Sequence, residues 1–133
     1  MKQIEHEKSL VRAFVVSNKR DRIMSLLASD RRQTVLDSLY HFHDLDDRFV
    51  EAIPPSLQTP HGISETLRRY GAPNHCWVIS AIASLDGREM PLDEVLERIV
   101  GFGDGTLISC VPGKLAFFEG EEPEDRCILR RFK

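Results

Sequence analysis

The sequence predicts an α+β fold: a helical N-terminal half packed on a small mixed or antiparallel sheet of about four strands, with one crossover helix. Three observations carry this. Apolar residues between Leu10 and Tyr40 recur at helical intervals. The run CWVISAIAS over 76–84 is apolar on both alternating faces, as a strand inside a sheet would be. Pro112-Gly113 separates two short apolar runs and suits the centre of a hairpin turn.

The elements follow in order. Leu10, Val11, Phe14 and Val15, then Ile23, Leu26 and Leu27, then Val35, Leu36, Leu39 and Tyr40 mark three helical pieces. Ser17 or Asn18 could cap the second and Ser29 or Asp30 the third, because each offers a side-chain oxygen to first-turn amides. The Val and Phe enrichment over 10–16 also permits a strand there. Pro54, Pro55 and Pro60 rule out regular structure over a connector. A single domain over 1–133 is expected, with a helical part over 1–52, a Pro-rich connector over 53–63, and a helix-plus-sheet part over 64–133.

A short helix over 64–70 is stopped by Gly71 and Pro73. The apolar strand 76–84 is closed by Asp86-Gly87. A helix then opens at Pro91, with Asp93 and Glu94 at its positive end and one stripe of Leu92, Val95, Leu96, Ile99 and Val100. Strands follow over 106–111, 115–119 and 126–132. If 76–84 and 106–111 are parallel neighbours, the helix between them should make a right-handed crossover.

Composition narrows the function. An apolar share of 41% and a charged share of 29% describe a folding globule rather than a disordered chain. Residues 1–60 carry nine basic and nine acidic side chains and residues 61–133 nine and twelve, so nucleic-acid binding, which needs a basic surplus, is disfavoured. Cys76, Cys110 and Cys127 have no CxxC spacing, and MKQIEHEKSLVR has no apolar signal stretch. A cytoplasmic protein with reduced thiols and no membrane partner is the expectation.

The run YHFHDLDD holds the densest set of metal-ligand types, His41, His43, Asp44, Asp46 and Asp47. Imidazole with carboxylate suits zinc or iron, and on a continuing helix His43 and Asp47 would share a side. The metal set is therefore His41, His43, Asp44 and Asp47, with no organic cofactor implied. His75-Cys76 has the composition of a thiol–imidazole pair, but strand neighbours face opposite ways, so buried inert thiols are expected.

GFGDGT follows a helix and opens a strand, the reverse of a phosphate-cradling loop. Glu119, Glu121, Glu122, Glu124 and Asp125 form an acidic loop that could steer a basic protein partner. His75 and Trp77 are candidates to line a ligand pocket. Basic residues gather at Lys19, Arg20, Arg22, Arg31 and Arg32, and at Arg126, Arg130, Arg131 and Lys133, without aromatics for base stacking. The expected function is a non-catalytic binding module, regulatory or immunity-like, acting through a protein partner. The alternative is a metal-dependent hydrolase or nuclease built on the His41/His43 set.

Overall fold

The computed structural model describes residues 2–131. Its centre is a six-stranded sheet in the order β1-β6-β5-β4-β2-β3, formed by β1 (Val50–Ala52), β2 (His75–Ser80), β3 (Arg88–Pro91), β4 (Thr106–Val111), β5 (Leu115–Glu119) and β6 (Cys127–Arg130). Each pairing between neighbours is antiparallel. Helices α1 (Lys2–Phe14), α2 (Arg20–Leu27) and α3 (Arg32–Ser38) cover one face, and α4 (Pro60–Arg69) and α5 (Leu92–Ile99) the other.

The central strands read as continuous apolar runs because both faces are covered. Trp77, Ile79, Leu107, Ala116, Phe118 and Leu129 pack under α1–α3. Their alternating neighbours Val78, Ile108, Leu115, Phe117 and Ile128 pack under α4 and α5. A one-residue slip would exchange these two sets, so each face fixes the register of the other.

The α+β class agrees with the sequence, and the strand count is six rather than about four. Two short edge strands account for the difference. Val50–Ala52 lies at the end of what reads as the helical part, and becomes β1 by pairing with β6 from Val50↔Leu129 to Ala52↔Cys127. Arg88–Pro91 pairs with β2 as β3, so Pro91 closes a strand and precedes α5 instead of opening it. An edge position tolerates proline because no ladder donor is needed from it.

The extra strand also changes the crossover. β2 and β4 are neighbours but antiparallel, so the condition for a parallel crossover between them is not met. Because β3 reverses the chain first, α5 instead links β3 to β4, which flank β2 and run in the same direction. Apolar character over 76–84 outlasts the strand, which stops at Ser80. There the Asp86 carboxylate accepts from Ser80 N at 3.0 Å, Ser80 Oγ accepts from Ile82 N, and Gly87, at φ +72°, returns its amide to Val78 O.

The remaining differences are local. Residues 10–14 are helical, and Val15 makes one isolated antiparallel bridge to Leu45. Neither α2 nor α3 carries a side-chain cap, and Ser17–Lys19 forms a 3-10 turn ahead of α2. The connector is shorter than 53–63, since α4 begins at Pro60. Thr59 caps it by accepting from Gly62 N at 2.9 Å. The last strand ends at Arg130; Phe132 of the expected strand and Lys133 of the basic group lie outside the described residues. Among the described residues no helix is long and apolar enough to cross a membrane.

Candidate functional site

Two of the sequence-predicted sets meet at one end of the sheet. The 3-10 turn Leu39–His41 that ends the helical layer receives Glu121 N on Tyr40 O at 3.1 Å. Gly105 packs so closely that a Cβ there would lie 2.5 Å from Leu39 C. His41 Nε2 stands 3.0 Å from Glu121 Oε2. The His/Asp run and the acidic loop are therefore one surface.

The metal set does not converge. The helix stops before His43, Phe42 is extended, and Val16 N donates to Asp44 O while Asp46 N donates to Phe14 O. An extended backbone removes the i, i+4 proximity of His43 and Asp47 on which the expectation rests. Among the described residues no three His, Cys, Asp or Glu side chains are grouped as a metal site. His43 and Asp47 instead line a shallow cleft of about 340 Å³ with Phe42, Phe118, Glu124 and Asp125.

Asp46, also in this run, is structural. Its carboxylate takes Arg48 Nε at 3.0 Å and Arg48 Nη2 at 2.6 Å, and accepts the Arg48 backbone amide. The Arg48 side chain is the largest cause that lowers its pKa from 3.8 to about 2. A depressed carboxyl stabilises the fold fully above its unfolded value of about 4 and loses that contribution as pH falls through the folded value. We expect the Asp46 carboxyl carbon to titrate near 2 by NMR in the native protein and to move toward 4 in Arg48→Ala.

The acidic loop divides into interior and exterior members. Glu119 is fully buried, so it is no part of a partner-binding surface. Its Oε1 accepts from Arg126 Nε at 2.7 Å, and its Oε2 accepts from Gly101 N at 3.2 Å and Gly103 N at 3.1 Å. Arg126 is buried too, and passes a second bond to Gln58. Asp125 is half-buried and accepts from Glu122 N, closing a capping box around a 3-10 turn. Glu121, Glu122 and Glu124 remain exposed.

The glycines of GFGDGT serve this arrangement. Gly101 and Gly103 adopt φ of +93° and +75°, which turns both amides onto the Glu119 carboxylate. The residue between them, Phe102, is left 67% exposed beside the acidic loop. Sequence reading places GFGDGT between a helix and a strand and misses the aromatic that Gly101 and Gly103 display.

A second cluster lies between α1 and the sheet. Trp77 is buried and donates Nε1 to Glu7 Oε2 at 2.9 Å, while His75, at the start of β2, is exposed. The two predicted pocket residues thus differ in exposure, and neither lines the cleft beside His43 or the one over Glu7. Arg32 bonds Glu7 in bidentate fashion at 2.7 Å through both terminal nitrogens, and Asp86 at 2.9 and 3.0 Å. The paired carboxylates, with Glu7 the larger influence, raise the Arg32 pKa above its ordinary value.

The His6 ring stacks on Trp77 at 6.2 Å, and its Nδ1 is 2.7 Å from Ser109 Oγ. Ser109 is buried, which leaves this pair a packing role. Between α1 and α2, over Glu7 and Arg32, opens a cleft of about 550 Å³. One sequence signal for it exists: Glu7 sits one turn before Leu10 and Val11 on the face of α1 that turns inward. A charged residue on such a stripe needs a buried partner.

The thiols are inert by placement. Burial pushes Cys76 and Cys127 up to about 12 and Cys110 well above its ordinary value. Cys76 Sγ faces Met90 O, and His75, its strand neighbour, points to the opposite face.

Comparison with known proteins adds one partial similarity. Across 84 residues, 62% of its length, the chain is 32% identical to the acetate kinases of three Actinobacillus pleuropneumoniae serotypes, 5b, 3 and 7. That stretch makes up 19% of each enzyme, so the chain spans under a fifth of the curated relatives it matches. No protein-family model and no solved structure matches the chain.

Proposed function

We propose that this protein is a cytosolic, non-catalytic binding module of regulatory or immunity type that captures a protein partner at the acidic end of its sheet. Phe102 is the observation that carries the reading. Its backbone is pinned on both sides to a buried ion pair while its side chain is exposed, and the next residue, Gly103, packs against the Glu121 carbonyl of the acidic loop. A pre-ordered aromatic loses little freedom on docking, and aromatics in desolvated sockets supply a large share of interface energy. The surrounding acids suit a socket rimmed by Lys and Arg, and would speed encounter with it at low salt.

The acetate kinase similarity covers 19% of each enzyme and carries no activity to this chain. The glycine loop leads from α5 into β4, so no helix N-terminus backs it as a phosphate cradle.

The test uses the immobilised protein and two variants with exposed substitutions, Phe102→Ala and the triple Glu121→Lys/Glu122→Lys/Glu124→Lys. A protein enriched from native lysate by the wild type should fall by about tenfold with either variant, the effect of losing one anchor. Equal enrichment by all three would remove this surface from the case.

A further inference from the structure

The cleft between α1 and α2 is separate from the acidic end and does not depend on that reading. Its volume of about 550 Å³ falls within the range of small-molecule sites. Ile4, Met24 and Leu27 supply apolar walls, and Ile4 is 57% exposed, an apolar side chain with no protein covering it. Glu7 and Arg32 form the floor, with Asp86 behind Arg32.

Counting charge at that floor decides what could enter. Glu7 and Asp86 share one guanidinium, which leaves a net charge of one negative unit on side chains only 8%, 15% and 16% exposed. All five N–H groups of Arg32 are engaged: Nε with Asp86, one terminal nitrogen with Glu7 and Leu27 O, the other with Glu7 and Asp86. No donor remains there for an anion. Glu7 Oε2 accepts two bonds and Oε1 one, so Oε1 keeps acceptor capacity. Lys8 also borders the cleft, but it is exposed, where water screens its charge far more than it screens the buried carboxylates.

We infer that this cleft binds a small amine with an apolar body, its ammonium paired with Glu7 and its hydrocarbon laid against Ile4, Met24 and Leu27. The cation would neutralise the uncompensated charge of the Glu7–Arg32–Asp86 cluster, and the apolar body would cover the open wall. Trp77, the single tryptophan, donates to the same Glu7 carboxylate and so reports on occupancy.

The experiment compares n-octylammonium, n-octanoate and n-octanol, which share a body and differ in the head, by Trp77 emission and by amide chemical-shift mapping of the whole chain. Saturable binding of n-octylammonium, at least tenfold tighter than of the other two and mapped to α1 and α2, is the expected result. Ile4→Arg should weaken it at least tenfold. That substitution is on an exposed side chain and leaves the core untouched, whereas Glu7→Gln, which should also abolish binding, disturbs a buried pair. The inference is overturned if n-octylammonium does not saturate, if n-octanoate or n-octanol binds as well, or if Ile4→Arg binds it like the wild type.

Discussion

Arg126→Ala should lower the unfolding free energy by about 3–5 kcal/mol, the cost of stranding a buried charge. Glu119 has no exposed surface, and after the substitution its carboxylate would keep just the Gly101 and Gly103 amides. Urea unfolding monitored by Trp77 measures the loss, and a change below about 1 kcal/mol would show that water reaches Glu119 after all. The double variant Glu119→Leu/Arg126→Met should be much less destabilised than the single one, because both charges are then absent and the volume is retained. It should nevertheless free the turn: amide exchange at Gly101 and Gly103 should accelerate in the double variant, which removes the carboxylate that both amides donate to. Partner capture through Phe102 would then weaken even where stability recovers, which separates the positioning role of Glu119 from its contribution to folding.

The parts of this fold legible in the sequence are those where one local rule dominates. The stripe of Leu92, Val95, Leu96 and Ile99 is a helix by spacing alone, and all four side chains are buried. The hairpin at Pro112-Gly113 is legible because Gly113 supplies the positive φ that such a turn requires. Elements fixed from a distance are not. Val50–Ala52 has three residues and no pattern of its own, and is a strand because β6 offers a free edge. The His41–Asp47 run misleads for the same reason: the bridge from Leu45 to Val15 holds the stretch between two 3-10 turns extended where local composition allows more helix. At the candidate site, Glu119 reads as one more acid in an acidic loop until the partner seven residues on, Arg126, turns inward with it. Charge composition records the number of acids, and burial alone separates the clamp from the exposed surface.

Arg32→Ala carries the second large effect, expected at about 3 kcal/mol. The guanidinium bridges Glu7 and Asp86, and ties α1, the start of α3 and the turn after β2 together. Without it two carboxylates face each other across the contact of the helical layer with the sheet. Arg32→Lys should recover less than half of the loss, since one ammonium cannot reproduce two bidentate pairs held by a planar fork. In Arg32→Ala/Glu7→Gln one of the two repelling charges is gone, while the glutamine oxygen can still accept from Trp77 Nε1. The double variant should therefore be more stable than Arg32→Ala alone, a sign reversal of the kind that coupled neighbours show. Thermal unfolding at one pH ranks the four proteins. A double variant less stable than Arg32→Ala would mean that Glu7 contributes to folding mainly through Trp77 and the packing of α1, with its charge incidental to both.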